Sequence, residues 1–115
     1  MVRRLRWRVP SGIGARLKGQ RVRALRRRGK YLLFDFEQDQ PVTMWMKNTY
    51  LPLDMLFIRA DGTVARIAAD TEPLSTRTIS SGEPVLAVLE LNAGTAARLG
   101  LRAGRLGSRL VRATS

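Results

Sequence analysis

Apolar and polar residues alternate from the start of the chain. Leu5, Trp7 and Val9 fall on one side of an extended backbone, and Arg4, Arg6 and Arg8 on the other. A period of two predicts a half-buried strand. Pro10 ends it, because proline cannot donate to a ladder. Ser11 suits the cap of a short helix through Lys18, with Ile13 and Leu17 four apart and Gly19 as the stop. Residues 22–25 resume an extended pattern, and residues 26–29 read as a turn. Residues 31–36 (YLLFDF) form a strong strand pattern. The polar run 37–41 (EQDQP) ends in proline and reads as a loop.

Residues 42–47 predict the next strand, with Met44 and Met46 facing one way and Thr43, Trp45 and Lys47 the other. Asn48 and Thr49 turn the chain, and residues 53–59 are an apolar strand. Asp61-Gly62 between two apolar runs is a hairpin signal, and residues 63–69 return. A loop with Pro73, a short strand at 78–80 and a break at Gly82-Glu83-Pro84 follow. Residues 85–91 predict a strand. Asn92 or Thr95 caps a short helix that Gly100 closes, and residues 106–111 suggest a last strand. The expected fold class is mainly β (α+β): a small sandwich or partly closed barrel of short antiparallel strands with one or two short helices, in one domain of 115 residues.

Charge changes this picture. Twelve Lys and Arg fall in residues 1–34, which hold no acid, while residues 35–115 carry nine bases and nine acids. The whole net charge of +12 sits on the first third. Such asymmetry points to a polyanionic partner or to two segments of different origin. Arg6, Arg8, Arg26, Arg27, Arg28 and Lys30 are the candidate contacts to nucleic acid, as salt-sensitive, nonspecific phosphate binding. A solvated strand face is the plainer reading.

The chain contains neither Cys nor His. Disulfides, thiolate nucleophiles and a Ser-His-Asp triad are excluded, and a zinc site would have to be all carboxylate. No metal or other cofactor is expected. Asp35, Glu37 and Asp39 are spaced two apart, but a hydrolytic pair needs an enclosing cleft, so they are read as bordering a solvated loop. Trp45, Lys47, Asn48 and Asp54 are candidates for a small polar ligand pocket. The competing reading is structural, with Asp54 accepting backbone hydrogen bonds, Lys47 snorkelling and Trp45 packing. No apolar run reaches the about 20 residues of a spanning helix and no signal peptide is read, so a soluble, cytoplasmic chain without a membrane partner is expected.

Two resemblances meet in the sequence. WMKNT (45–49), PLDMLFI (52–58), the Asp61-Gly62 hairpin and LELNAGTAARLGLRAG (89–104) resemble domain-of-unknown-function family 192, also called uncharacterised protein family 0127. That resemblance implies a small β-rich domain with one short helix near its C-terminus, and it carries no activity. Residues 5–36, above all RRRGKYLLFDF (26–36), resemble an internal stretch of the N-terminal domain of formamidopyrimidine-DNA glycosylase. The catalytic proline and glutamate of that family have no counterpart in Met1-Val2-Arg3-Arg4, nor have its helical module and zinc finger. Lys30 alone matches a position that family uses as a proton donor, and without the nucleophile it has no reaction to assist.

The sequence therefore reads as a recombinant, non-catalytic scaffold: a glycosylase-like segment (1–36) joined to a family-192-like β body (34–115). One family covering the full length would sink that origin. A grafted strand risks an unpaired edge, so a homodimer, including a domain-swapped one, is as expected as a monomer.

Overall fold

The computed structural model describes residues 24–28 and 31–104. The expected strand at 4–9, helix at 11–18 and strand at 106–111 lie outside the described residues, as do Arg6, Arg8 and Lys30. Among the described residues there are five strands: β1 (Ala24–Arg28), β2 (Tyr31–Met44), β3 (Leu53–Ile58), β4 (Val64–Ala68) and β5 (Ile79–Asn92). One four-residue helix follows, α1 (Thr95–Arg98). All strands join one antiparallel sheet in the order β1-β2-β5-β3-β4.

The period-two pattern explains why this sheet buries both faces. On β3, Met55 and Phe57 enter one cluster, with Phe34, Phe36, Val42, Met44, Met46, Val85 and Val88. Leu56 and Ile58 enter the other, with Leu89, Leu91 and Ala96. A strand buried on both sides reads as a continuous apolar run, as LDMLFI does. The two clusters take alternate residues of β3, and α1 contributes Ala96 to the second.

Three expectations need correcting. Residues 26–28 are not a turn: Arg26 pairs with Leu33, Arg27 with Leu32 and Arg28 with Tyr31. The polar run 37–41 is not a loop but the middle of β2. From Asp35 opposite Ala87 to Gln40 opposite Val85, β2 advances five residues while β5 advances two, so the polar residues sit in a bulge. Nor does Gly82-Glu83-Pro84 break the chain. From Pro41 opposite Pro84 to Thr43 opposite Ser80, β5 advances four residues and β2 two. Gly82 takes φ 78° there, which a residue without Cβ adopts at no steric cost.

A side chain repairs this second bulge. The Val42 N–H donates to Ser81 Oγ (2.9 Å), and the Ser81 hydroxyl donates to the Glu83 carbonyl (2.7 Å). Ser81 is buried, so the backbone amide that lost its ladder partner is satisfied away from water.

The sheet is neither a two-sheet sandwich nor a barrel closed by backbone pairing. Side chains span the gap between β4 and the first half of β5 instead. Arg66 Nη1 donates to the Ser80 carbonyl. Arg59 grips Glu83 with two parallel bonds, Nε to Oε1 (2.6 Å) and Nη2 to Oε2 (3.1 Å). Arg59 sits at the mouth of the β3–β4 hairpin, where the expected Asp61-Gly62 turn forms. Thr63 donates to Asp61 Oδ1 through both its N–H (2.9 Å) and its hydroxyl (2.7 Å), and Gly62 takes φ 88°.

Two predictions follow from these repairs. Ser81→Ala leaves a buried Val42 N–H unsatisfied and should lower unfolding free energy by about 2 kcal/mol, read by urea titration. The Arg59 bond holds the Glu83 carboxyl below its usual range, and the Thr63 bonds do the same for Asp61. A depressed folded pKa contributes stability above the unfolded value, and that stability is lost as pH falls through the folded one. The gap in Tm between wild type and Glu83→Gln should therefore be open at neutral pH and should close below about pH 4. Both groups are exposed, so the gap should also narrow with salt.

Candidate functional site

The residues proposed as a pocket fall where β2 ends and β3 begins. After Met44 the alternation persists without a ladder: Met46 is buried, Trp45 half-buried and Lys47 exposed. Lys47 folds back so that Nζ stands 5.2 Å from the Trp45 ring centroid, within cation–π reach. The turn falls on Lys47 and Asn48, and Asn48 takes φ 60°, a conformation asparagine tolerates better than most residues. The Thr49 N–H closes it on the Met46 carbonyl (3.0 Å).

Asp54 is placed differently. It is the second residue of β3 and is 1% exposed. Its Oδ1 accepts the Asp70 N–H (2.9 Å) and its Oδ2 accepts the Ala96 N–H (2.9 Å). The structure thus brings Trp45 and Lys47 together, sets Asn48 beside them in the turn, and commits Asp54 to two backbone amides.

The second of those bonds overturns the expected cap. Neither Asn92 nor Thr95 caps α1: Gly94 holds the N-cap position at φ 89° and no local side chain bonds the first turn. Asp54, distant in sequence, caps the helix instead, and a carboxylate there also suits the helix dipole. The C-terminal stop forms as expected. Gly100 takes φ 69°, its N–H donates to the Ala97 carbonyl (3.1 Å), and the Leu101 N–H donates to the Ala96 carbonyl (2.9 Å). Leu101 then packs on the second core cluster, completing a Schellman stop.

Sequence reasoning missed Thr71. Its N–H donates to the Leu53 carbonyl (2.9 Å), and its hydroxyl accepts the Leu53 N–H (3.2 Å). The single hydroxyl proton lies within reach of the Leu53 carbonyl (3.0 Å) and Met46 Sδ (3.1 Å), and the carbonyl is the stronger acceptor. A threonine between Asp70 and Glu72 in a loop carries no signal of this role. Ser81 and Glu83 were missed for the same reason.

The other candidates lie apart. Arg26, Arg27 and Arg28 stand on β1, which takes the end position in the strand order. Asp35 is half-buried at the edge of the β2 bulge, while Glu37 and Asp39 are exposed within it. Among the described residues no group of three acids comes together that could hold a metal ion, and no helix is long and apolar enough to cross a membrane.

With this geometry in hand, comparison with known proteins is direct. The family model DUF192, described as an uncharacterized ACR, matches residues 8–106. The chain belongs to the DUF192 family. Among solved structures it is similar to a protein from Sinorhizobium meliloti described as a candidate transcription regulator, with 61% identity and TM-score 0.61 over 63% of this chain and 56% of that one. It is also similar to a protein of unknown function from Novosphingobium aromaticivorans, with 38% identity and TM-score 0.63 over 68% of this chain and 56% of that one. A second likeness is local. Formamidopyrimidine-DNA glycosylase of Methylococcus capsulatus is 57% identical over 35 residues, 30% of this chain and 13% of that enzyme. The Acinetobacter baylyi enzyme is 57% identical over 37 residues, 32% of this chain and 13% of its own length. The chain thus spans a small part of the glycosylases and just over half of the two solved chains it matches. Beginning at residue 8, the DUF192 match runs through most of the basic opening third rather than starting near Leu33.

Asp54→Ala should cost about 2–3 kcal/mol of unfolding free energy, because the buried Ala96 N–H and the part-buried Asp70 N–H lose their acceptor. Asp54→Asn keeps one acceptor and should cost less. Denaturant titration followed by tryptophan fluorescence ranks the two.

Proposed function

We propose that this chain is a non-catalytic DUF192 β scaffold whose opening segment bears a local likeness to the glycosylases; the DUF192 match over residues 8–106 counts against a separate origin for that segment. The carrying observation is the confinement of the glycosylase likeness to about 30% of the chain. The charge split supports it, since the net charge of +12 falls on the same third. Because the DUF192 match reaches back to residue 8, the segment keeps the family's own pattern of positions. Phe34 and Phe36 supply aromatic mass to the first cluster beside Val42 and Val88. The segment carries Lys30 but neither the proline nucleophile nor the glutamate of the glycosylases.

Two measurements test this. Duplex DNA bearing a formamidopyrimidine lesion should show neither base release nor borohydride-trapped adduct, and either product would refute a non-catalytic scaffold. Replacing residues 8–36 by the matching residues of the Sinorhizobium meliloti relative should keep one cooperative unfolding transition. Loss of folding in that hybrid would count against a shared register.

Charge favours a second reading, salt-sensitive binding of nucleic acid through the basic opening third. The relatives named for DNA glycosylase and transcription regulation act as support of the weakest kind, since the chain spans only part of each. Affinity for a random duplex should fall about a thousandfold between about 50 and 200 mM salt, as about six phosphate contacts require. It should not depend on base sequence. Mobility shift at two salt concentrations reads both.

A further inference from the structure

Three large apolar side chains stand in water near one end of the sheet: Tyr50 is 75% exposed, Leu51 68% and Leu74 51%. Their backbone is held firmly. The Leu74 N–H donates to the Thr49 carbonyl (2.9 Å), the Met46 N–H to Ser75 (3.1 Å), the Thr71 N–H to Leu53 (2.9 Å) and the Ala93 N–H to Pro52 (3.2 Å). Residues 46–53 and 71–75 are thereby stitched into one platform. Leu74 takes φ 63°, a left-handed conformation that a bulky residue adopts only at a cost. Glycine or asparagine would meet the turn's demand with less strain. The platform keeps a strained leucine whose side chain is half in water.

We propose that this platform is a peripheral lipid-contact patch, in which Tyr50, Leu51 and Leu74 enter the headgroup–acyl boundary of an anionic phospholipid surface. The neighbouring Trp45–Lys47 stack has an aromatic body and a cationic tip, the combination that settles at such a boundary. Antiparallel register puts the end of β1 at the same end of the sheet: Arg28 lies opposite Tyr31, Leu32 opposite Glu90, and Leu53 opposite Asn92. The Arg26-Arg27-Arg28 run therefore ends toward the platform end of the sheet, with β2 and β5 between β1 and β3, and basic residues near a bilayer are drawn to anionic headgroups. Asp70 and Glu72 also lie on the platform loop and oppose this attraction, but 21 bases against nine acids decide the sign for the chain. Area decides against a folded partner. Three side chains at these exposures offer on the order of 400 Å², half of the about 800 Å² per partner that a stable protein interface buries. A bilayer asks only for a few inserted side chains and charge attraction.

Flotation of the full chain with vesicles tests the patch. The chain should float with phosphatidylcholine–phosphatidylglycerol vesicles and much less with phosphatidylcholine alone. Part of the binding should survive about 1 M salt, where charge attraction is screened within about 3 Å. Leu74→Gly should weaken vesicle binding about five- to tenfold while leaving Tm unchanged or raised, since glycine relieves the strained φ. The double variant Tyr50→Ser, Leu51→Ser should lose binding further. Undiminished flotation of these variants would overturn the proposal. So would no flotation with either vesicle, a platform-dependent dimer in vesicle-free solution, or an equal loss of duplex DNA binding in Leu74→Gly.

Discussion

A buried carboxylate cannot stay charged without partners, and Asp54 meets that constraint with two backbone amides from distant loops. One oxygen fixes the loop after β4, and the other starts α1. The helix is four residues long and has no local cap, so it would not hold alone in water. Its position over the second core cluster depends on the strand that Asp54 belongs to. Thr71 doubles the connection by closing two backbone-type bonds on Leu53, the residue before Asp54. The start of β3 is therefore where the two loops, the helix and the sheet are joined.

The same economy appears where the sheet bends. Strands β2 and β5 are each 14 residues long, too long to stay flat over a small core, and each carries a bulge. The β2 bulge puts Glu37, Gln38 and Asp39 in water. The β5 bulge is filled by the Ser81 hydroxyl, and Arg59 and Arg66 tie its neighbourhood to the opposite hairpin and strand. Side chains take over where backbone pairing cannot continue, and Phe34, Phe36 and Phe57 stay buried in one cluster.

Membership of DUF192 and a local likeness to a DNA glycosylase are compatible because of where each constraint acts. The family pattern lies in core positions and turns, which the sheet demands. The glycosylase likeness covers a segment that supplies β1 and the first half of β2, where an alternating apolar pattern is sufficient. The groups around Trp45 and Asp54 are bound into packing and backbone hydrogen bonds.

Much of this was legible in the chain. Apolar runs and alternation placed β2's first half, β3, β4 and the second half of β5, and Asp61-Gly62 placed the hairpin, because residue pattern and turn chemistry are local properties. Gly100 announced the helix stop for the same reason. The absence of Cys and His removed whole classes of chemistry before any fold was known. Tertiary structure alone decided what the polar residues do. Glu37, Pro41 and Gly82 look like breaks in sequence, yet pairing with a neighbouring strand carries the ladder past them. Asp54 looks like a pocket acid, yet its partners are 16 and 42 residues away. A hydrogen bond of that span leaves no mark in a local pattern, because it exists only once the sheet has brought its two ends together.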